Sequence, residues 1–80
     1  MEDILEILRE LKPGVALDEN TELVNSRILD SLTMLRLVGK LSSEFEVVIT
    51  ARDVLPENFA NARAIAALID RLVARRDDED

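Results

Sequence analysis

Cysteine, histidine, tryptophan and tyrosine are all missing from this sequence of 80 residues. Without cysteine the chain cannot form a disulfide, which makes the cytoplasm the expected compartment. The absence of both cysteine and histidine also removes the usual zinc ligands and the usual nucleophile–base pairs of enzymes. We therefore expect no metal site and no enzymatic activity of the chain's own.

Aromatic residues are scarce, since Phe45 and Phe59 are the only two. Because 48% of the residues are nonetheless hydrophobic, the core must be built from Leu, Ile, Val and Ala, which favours helices over sheet. No apolar run approaches membrane-spanning length, so no membrane insertion is expected. The start at Met1-Glu2-Asp3 is acidic, unlike a basic signal peptide, and favours a free-standing cytoplasmic protein.

The charge is one-sided, with 17 acidic residues against 10 basic ones and a net charge of −7. A small acidic domain repels phosphate backbones, so nucleic acid is not an expected partner. Enzymes with basic patches around their entrances would be attracted to it instead. The alternative is that the acidity only keeps the protein soluble, and net charge alone does not decide between the two.

The spacing of apolar residues predicts a long helix, a long loop, a long helix, a very short helix and a final long helix. The predicted helices cover residues 3–12, 31–45, 51–55 and 62–75. Their expected N-caps are Asp3, Ser31, Thr50 and Asn61. Residues 13–30 contain scattered apolar side chains, so we expect this loop to lie across the core. Residues 1–76 are predicted to form one domain, and residues 77–80 an acidic disordered tail.

The tripeptide Asp30-Ser31-Leu32 stands where the long loop meets the second helix. In that position it resembles the hallmark of the acyl carrier protein family, in which Asp-Ser-Leu opens the second helix after a long first loop. The resemblance covers nearly the whole chain. It includes Ile28-Leu29 before the tripeptide and, further on, residues 56–59, which are similar to the "PENF" entry to the last helix of many specialised carriers.

The resemblance implies an all-α, acyl-carrier-like four-helix bundle, with three longer helices, one short helix and a long first loop. It implies that a separate, magnesium-dependent phosphopantetheinyl transferase attaches 4′-phosphopantetheine from coenzyme A to Ser31, with Asp30 and Leu32 beside the attachment point. A phosphodiester suits a helix N-terminus, and the arm supplies the thiol that this sequence lacks. An acyl or aminoacyl cargo would be held on it as a thioester. The alternative is that Ser31 is only an N-cap.

The charges around Ser31 depart from those of primary fatty-acid carriers, which have several acids along the second helix. Here residues 31–46 contain two basic residues against two acids, whereas residues 13–30 contain four acids against Arg27 alone. Because surface charge sets partner choice, the neutral second helix predicts a specialised stand-alone carrier served by a dedicated acyl or aminoacyl ligase or synthase. Leu35 and Arg36 are the predicted partner-facing residues.

Two alternatives to the specialised carrier stay open at this point. The first is a primary carrier of fatty-acid synthesis. The second is a cofactor-free helical interaction module that forms a homodimer through its second helix, in which many residues are apolar. A carrier is expected to be a monomer.

Overall fold

Three α-helices and one short 3₁₀ helix are the regular elements of residues 2–78, the part of the chain that this computed structural model describes. The α-helices are α1 (Glu2–Leu11), α2 (Ser31–Phe45) and α3 (Ala62–Asp78), and the 3₁₀ helix is Pro56–Asn58. The predicted all-α fold is confirmed. The predicted count of four α-helices is not, because only three occur within the described residues.

The segment predicted as a short helix over residues 51–55 is not helical, because residues 51–53 form a turn and residues 54–55 have no regular structure. The Asp53 N–H donates to the Thr50 carbonyl oxygen at 2.9 Å, and the Asp53 carboxylate accepts the Thr50 N–H at 3.0 Å. The capping pair is therefore present, but the helix does not continue. Leu55 is extended, with φ −116° and ψ 144°, as the following proline ring requires. Pro56 begins the 3₁₀ helix instead of ending an α-helix.

The core is aliphatic apart from Phe59, which is fully buried. α1 contacts both α2 and α3, and the 3₁₀ helix contacts α3. The buried apolar residues of the three α-helices are Ile4, Leu5, Ile7, Leu8, Leu37, Leu41, Ala62, Ile65, Leu68, Ile69 and Leu72. As the composition predicts, this small domain is held together mainly by leucine, isoleucine and alanine packing.

Spacings of three and four residues between Leu32, Leu35, Val38, Leu41 and Phe45 predict an apolar stripe along α2, and the observed buried face differs from this stripe. The buried residues of α2 are Thr33, Leu37 and Leu41, and the half-buried ones include Met34, Val38 and Phe45. Leu32 and Leu35 are instead 59% and 70% exposed. The predicted stripe wrongly included these two leucines. It left out Thr33, which is buried but polar, so the spacing of apolar residues could not indicate its burial.

The first loop lies across the core, as predicted. Three of its leucines are buried, namely Leu17, Leu23 and Leu29. The Leu23 N–H donates to the Ala60 carbonyl oxygen at 2.8 Å, and the Arg63 N–H donates to the Glu19 carbonyl oxygen at 3.3 Å. These bonds fasten the loop to the start of α3. The chain that leads into α2 is therefore anchored to the helical core.

The helix ends agree with the sequence in part. α1 begins at Glu2, so Asp3 lies in the first turn and is not the N-cap, although an acid there still suits the helix dipole. Asn61 caps α3 as predicted, with its Oδ1 accepting the Ala64 N–H at 2.9 Å. α3 continues to Asp78, beyond the predicted end at residue 75, and residues 79–80 of the predicted tail lie outside the described residues. None of the helices in residues 2–78 is long and apolar enough to span a membrane.

Candidate functional site

Asp30, and not Ser31, is the N-cap of α2. Its backbone is extended, with φ −84° and ψ 179°, and its Oδ1 accepts the Thr33 N–H at 2.8 Å. Its carbonyl oxygen accepts the Met34 N–H at 2.8 Å, the first hydrogen bond of the helix. The prediction that Ser31 is the cap is wrong because aspartate caps as well as serine and stands one residue earlier.

Ser31 is the first residue of α2, and its side chain is exposed. Its hydroxyl makes no hydrogen bond to any residue that the structure describes. A helix of 15 residues begins here, so the positive end of its dipole and the N–H groups of its first turn lie beside this hydroxyl. A serine oxygen esterified to a phosphate fits this position, because the helix N-terminus favours negative charge.

The pKa of the Asp30 carboxyl is lowered, first by the hydrogen bond from the Thr33 backbone N–H, then by the Thr33 side chain and by the positive charge of Lys12. A carboxylate with a lowered pKa that is already engaged as a cap is a poor proton acceptor. Asp30 is therefore not a general base for the Ser31 hydroxyl. An enzyme that modifies Ser31 has to supply the base itself.

The cap gives a testable effect on stability. We expect Asp30→Ala to lower the melting temperature by about 4–8 °C, the usual effect of losing an N-cap in a domain of this size. Asp30→Asn should retain most of the stability, because its amide oxygen can still accept the Thr33 N–H. Thermal melts followed by circular dichroism at pH 7 would measure both effects. Equal losses in the two variants would contradict the capping role.

The same residue predicts a pH dependence. In the folded state the pKa of Asp30 lies below its ordinary value of 3.8. Ionised Asp30 therefore stabilises the fold at pH values above 3.8, and this stabilisation is lost as the pH falls through the folded-state pKa. The stability difference between wild type and Asp30→Asn should therefore shrink below about pH 4. The pKa of Asp18 is also lowered, by the Asn20 N–H, but this effect cancels in the comparison. A difference that stays constant down to pH 2 would contradict the prediction.

The first turn of α2 after Ser31 exposes two large apolar side chains, Leu32 and Leu35, which are 59% and 70% exposed. Leu35 lies one helical turn after Ser31, on the same side of α2. Arg36 is also exposed, and no described side chain pairs with it. We call Ser31, Leu32, Leu35 and Arg36 the Ser31 surface.

The structure brings all five predicted site residues together at the N-terminal end of α2, with Asp30 beneath the Ser31 surface. Thr33, whose backbone N–H donates to the capping Asp30 carboxylate, was not predicted as part of the site. Its position three residues after an aspartate could have indicated this role. Lys40, the other basic residue of α2, pairs with Glu10 of α1 at 3.3 Å and so is not available to the Ser31 surface. No group of three or more His, Cys, Asp or Glu side chains within residues 2–78 is arranged to hold a metal ion.

The sequence comparisons point to one family, and the structural comparison gives a similar fold. Residues 2–69 match the family described as "Phosphopantetheine attachment site". The chain is 38% identical over 58 residues to the probable acyl carrier protein PigG of Serratia sp. (strain ATCC 39006), covering 72% of this chain and 67% of that protein. Its structure is similar to a chain in a solved structure titled "Crystal structure of FAD-dependent dehydrogenase", with a TM-score of 0.76, 40% identity, and coverage of 82% of this chain and 96% of that chain.

Proposed function

Because this chain belongs to the family of phosphopantetheine-bearing acyl carrier proteins, we propose that Ser31 is the residue that carries its 4′-phosphopantetheine arm. The protein is a carrier and not an enzyme, and its cofactor is covalently bound. The main support for this proposal is the position of Ser31. It is exposed at the first residue of a long helix, and its hydroxyl makes no hydrogen bond to a described residue. A gain in intact mass on incubation with coenzyme A, magnesium and a phosphopantetheinyl transferase tests it.

The other three serines are less suitable acceptors. The Ser26 hydroxyl donates to the Glu22 carbonyl oxygen in the first loop. Ser42 and Ser43 lie in the last turns of α2, and Ser42 is half-buried. The C-terminal end of a helix carries the negative pole of the dipole, which disfavours a phosphodiester there. These positions support Ser31 over each of them.

The chemistry at Ser31 needs little from this chain. Its Oγ bonds to the phosphorus of the pantetheine phosphate in coenzyme A, the bond from that phosphorus to adenosine bisphosphate breaks, and the hydroxyl proton passes to a base of the transferase. Asp30 fixes the start of α2, so that the Ser31 oxygen is presented at a defined place. When bound, the arm supplies a terminal thiol that holds the cargo as a thioester.

We further propose that this carrier serves dedicated biosynthetic enzymes rather than bulk fatty-acid elongation. Its Ser31 surface presents Leu32 and Leu35 for apolar contact and the positive charge of Arg36, whereas a ketosynthase entrance lined by basic residues favours an acidic helix. Repulsion from Arg36 would weaken docking on such an entrance. The expected partners are a phosphopantetheinyl transferase and an acyl or aminoacyl ligase or synthase.

The matched solved structure supports one kind of partner in particular. Its title names an FAD-dependent dehydrogenase, yet 96% of the matched chain aligns with part of this 80-residue chain, so the matched chain has the size of a carrier.

We infer that a flavin dehydrogenase oxidises the cargo on the arm. A base of the dehydrogenase would take a proton from the carbon next to the thioester, and FAD would take a hydride from the following carbon. A double bond would then join these two carbons of the cargo, and FAD would become FADH₂. Loss of flavin absorbance and of two hydrogens from the loaded carrier would support this step; an unchanged cargo mass would contradict it.

Docking measurements test the dedicated role. We expect the phosphopantetheine-loaded protein to bind a fatty-acid ketosynthase of its own organism about tenfold more weakly than the primary carrier does. Arg36→Glu should recover part of this affinity, because it replaces a repelled charge with an attracted one. Arg9→Glu on α1 makes the same change in net charge at a residue outside the Ser31 surface and serves as the control. Wild-type affinity equal to that of the primary carrier would contradict the proposal.

A further inference from the structure

A groove lies beyond the C-terminal end of α2, between the chain that follows this helix and the last turns of α3. Its walls include Val47, Val48, Thr50, Leu72 and Arg75, and its volume is about 340 Å³. A second depression of about 690 Å³ shares Thr50 and Arg75 with it and adds Arg52. We call these two connected depressions the end groove.

The described walls of the end groove contain three arginines against two acids, on a chain whose net charge is −7. Arg52 and Arg75 are exposed, and neither forms an ion pair with a described carboxylate. The Asp53 carboxylate in the same wall accepts hydrogen bonds from the Thr50 N–H and hydroxyl, so it is already engaged. Glu46 is the one other acid in the described walls.

The third arginine of the end groove, Arg76, connects α3 to the end of α2 through hydrogen bonds. Arg76 donates from one guanidinium nitrogen to the carbonyl oxygens of Phe45 and Glu46, at 3.1 and 2.9 Å. These are carbonyl groups at the C-terminal end of α2, where a cation is favourable. Arg76 thus holds the two walls of the groove together, which leaves Arg52 and Arg75 as the residues that can contact a partner.

The end groove also exposes an apolar side chain. Val48 is 78% exposed, more than Leu32 or Leu35 beside Ser31. It alternates with Val47, which is buried, because the chain at 47–50 is not helical. Val48 and the arginines of the end groove together make this surface both apolar and cationic.

We propose that the end groove is a second docking site, which binds a protein segment whose carboxylates flank an apolar side chain. Arginine guanidinium groups pair with carboxylates through two parallel hydrogen bonds, and the apolar side chain would cover Val48. α2 has 15 residues, so the end groove lies about 20 Å from Ser31. A partner can therefore remain bound there while the arm on Ser31 delivers its cargo to another enzyme. Nucleic acid does not fit the site, because the rest of the chain repels phosphates.

A peptide titration tests the end groove directly. The probe is a short fluorescein-labelled, glutamate-rich peptide with a central leucine, and the control is the same peptide with lysine in place of glutamate. We expect fluorescence anisotropy to show binding of the acidic peptide only. Backbone amide shifts in an NMR titration should change at residues 47–52 and 72–76 and stay unchanged at residues 31–36. Absence of binding, or shifts that map to the Ser31 surface, would overturn the proposal.

Charge-reversal variants separate this site from a bulk charge effect. Arg52→Glu and Arg75→Glu should each weaken peptide binding about tenfold, whereas Arg9→Glu should change it less than about twofold. Equal weakening in all three variants would contradict a defined site. Self-association of the wild type that Arg52→Glu abolishes would assign the groove to a second copy of the chain and overturn the proposal. Both groove variants should accept phosphopantetheine as the wild type does, so this test is independent of the role of Ser31.

Discussion

Ser31→Ala is expected to abolish phosphopantetheine loading completely and to leave the fold intact. The alanine variant has no oxygen to bond to phosphorus, and the remaining serines lie in the first loop or at the far end of α2. Because the Ser31 hydroxyl makes no described hydrogen bond and Asp30 provides the cap, stability should change by less than about 0.5 kcal/mol. Intact-mass spectrometry after incubation with coenzyme A, magnesium and a permissive transferase measures loading, and a thermal melt measures stability.

Ser43→Ala provides the matched control for this experiment. It removes an exposed hydroxyl from the same helix, near its C-terminal end, and should load to completion. Loading of Ser31→Ala would mean that the arm is attached elsewhere. If the folded wild type also gained no mass, the alternative of a cofactor-free helical interaction module would be favoured instead.

Phe59→Ala is expected to unfold most of the protein or to lower its melting temperature drastically. The Phe59 side chain is fully buried, and phenylalanine-to-alanine changes in a core cost about 3–5 kcal/mol. The total free energy of unfolding of folded proteins is typically about 5–15 kcal/mol. A domain of 80 residues has a small core, so this loss is a large fraction of its stability. Urea unfolding followed by circular dichroism would measure the loss.

Two control variants show how large the loss of stability in Phe59→Ala is for a phenylalanine of this chain. Phe45→Ala removes the same side chain from a half-buried position at the end of α2, so we expect a clearly smaller loss. Phe59→Leu keeps an apolar side chain of similar volume, and should cost less than about 1.5 kcal/mol. A loss for Phe59→Ala no larger than that for Phe45→Ala would contradict the central place of Phe59 in the core.

The sequence was sufficient to predict the bounds of α2 and the start of α3, because strong capping residues and apolar spacing coincide there. It was insufficient where two good caps are adjacent. Asp30 and Ser31 have similar capping propensities, and the backbone conformation at residue 30 decides between them. The short helix at residues 51–55 was wrong because a capping pair fixes only a turn, and Pro56 forces the preceding residue to be extended.

The site could be predicted from the sequence mainly through the family resemblance of Asp30-Ser31-Leu32. The exposure of Leu35 could not be derived from spacing, because Leu35 and the buried Leu37 are the same residue type and differ only in how α2 faces the other helices. The end groove was not predictable either. Arg52 and Arg75 are far apart in the sequence, and the packing of α3 against the segment after α2 brings them to one surface.

The central claim is that Ser31 carries the arm, and mapping the modification tests it most directly. Trypsin cleaves after Arg27 and Arg36, which releases residues 28–36 with Ser31 and Thr33 as the only hydroxyls. Tandem mass spectrometry of the loaded wild type should place the phosphopantetheine on fragments that contain residue 31 and lack residue 33. Phosphopantetheine on Thr33, or on a peptide that contains Ser26, Ser42 or Ser43, would contradict the account.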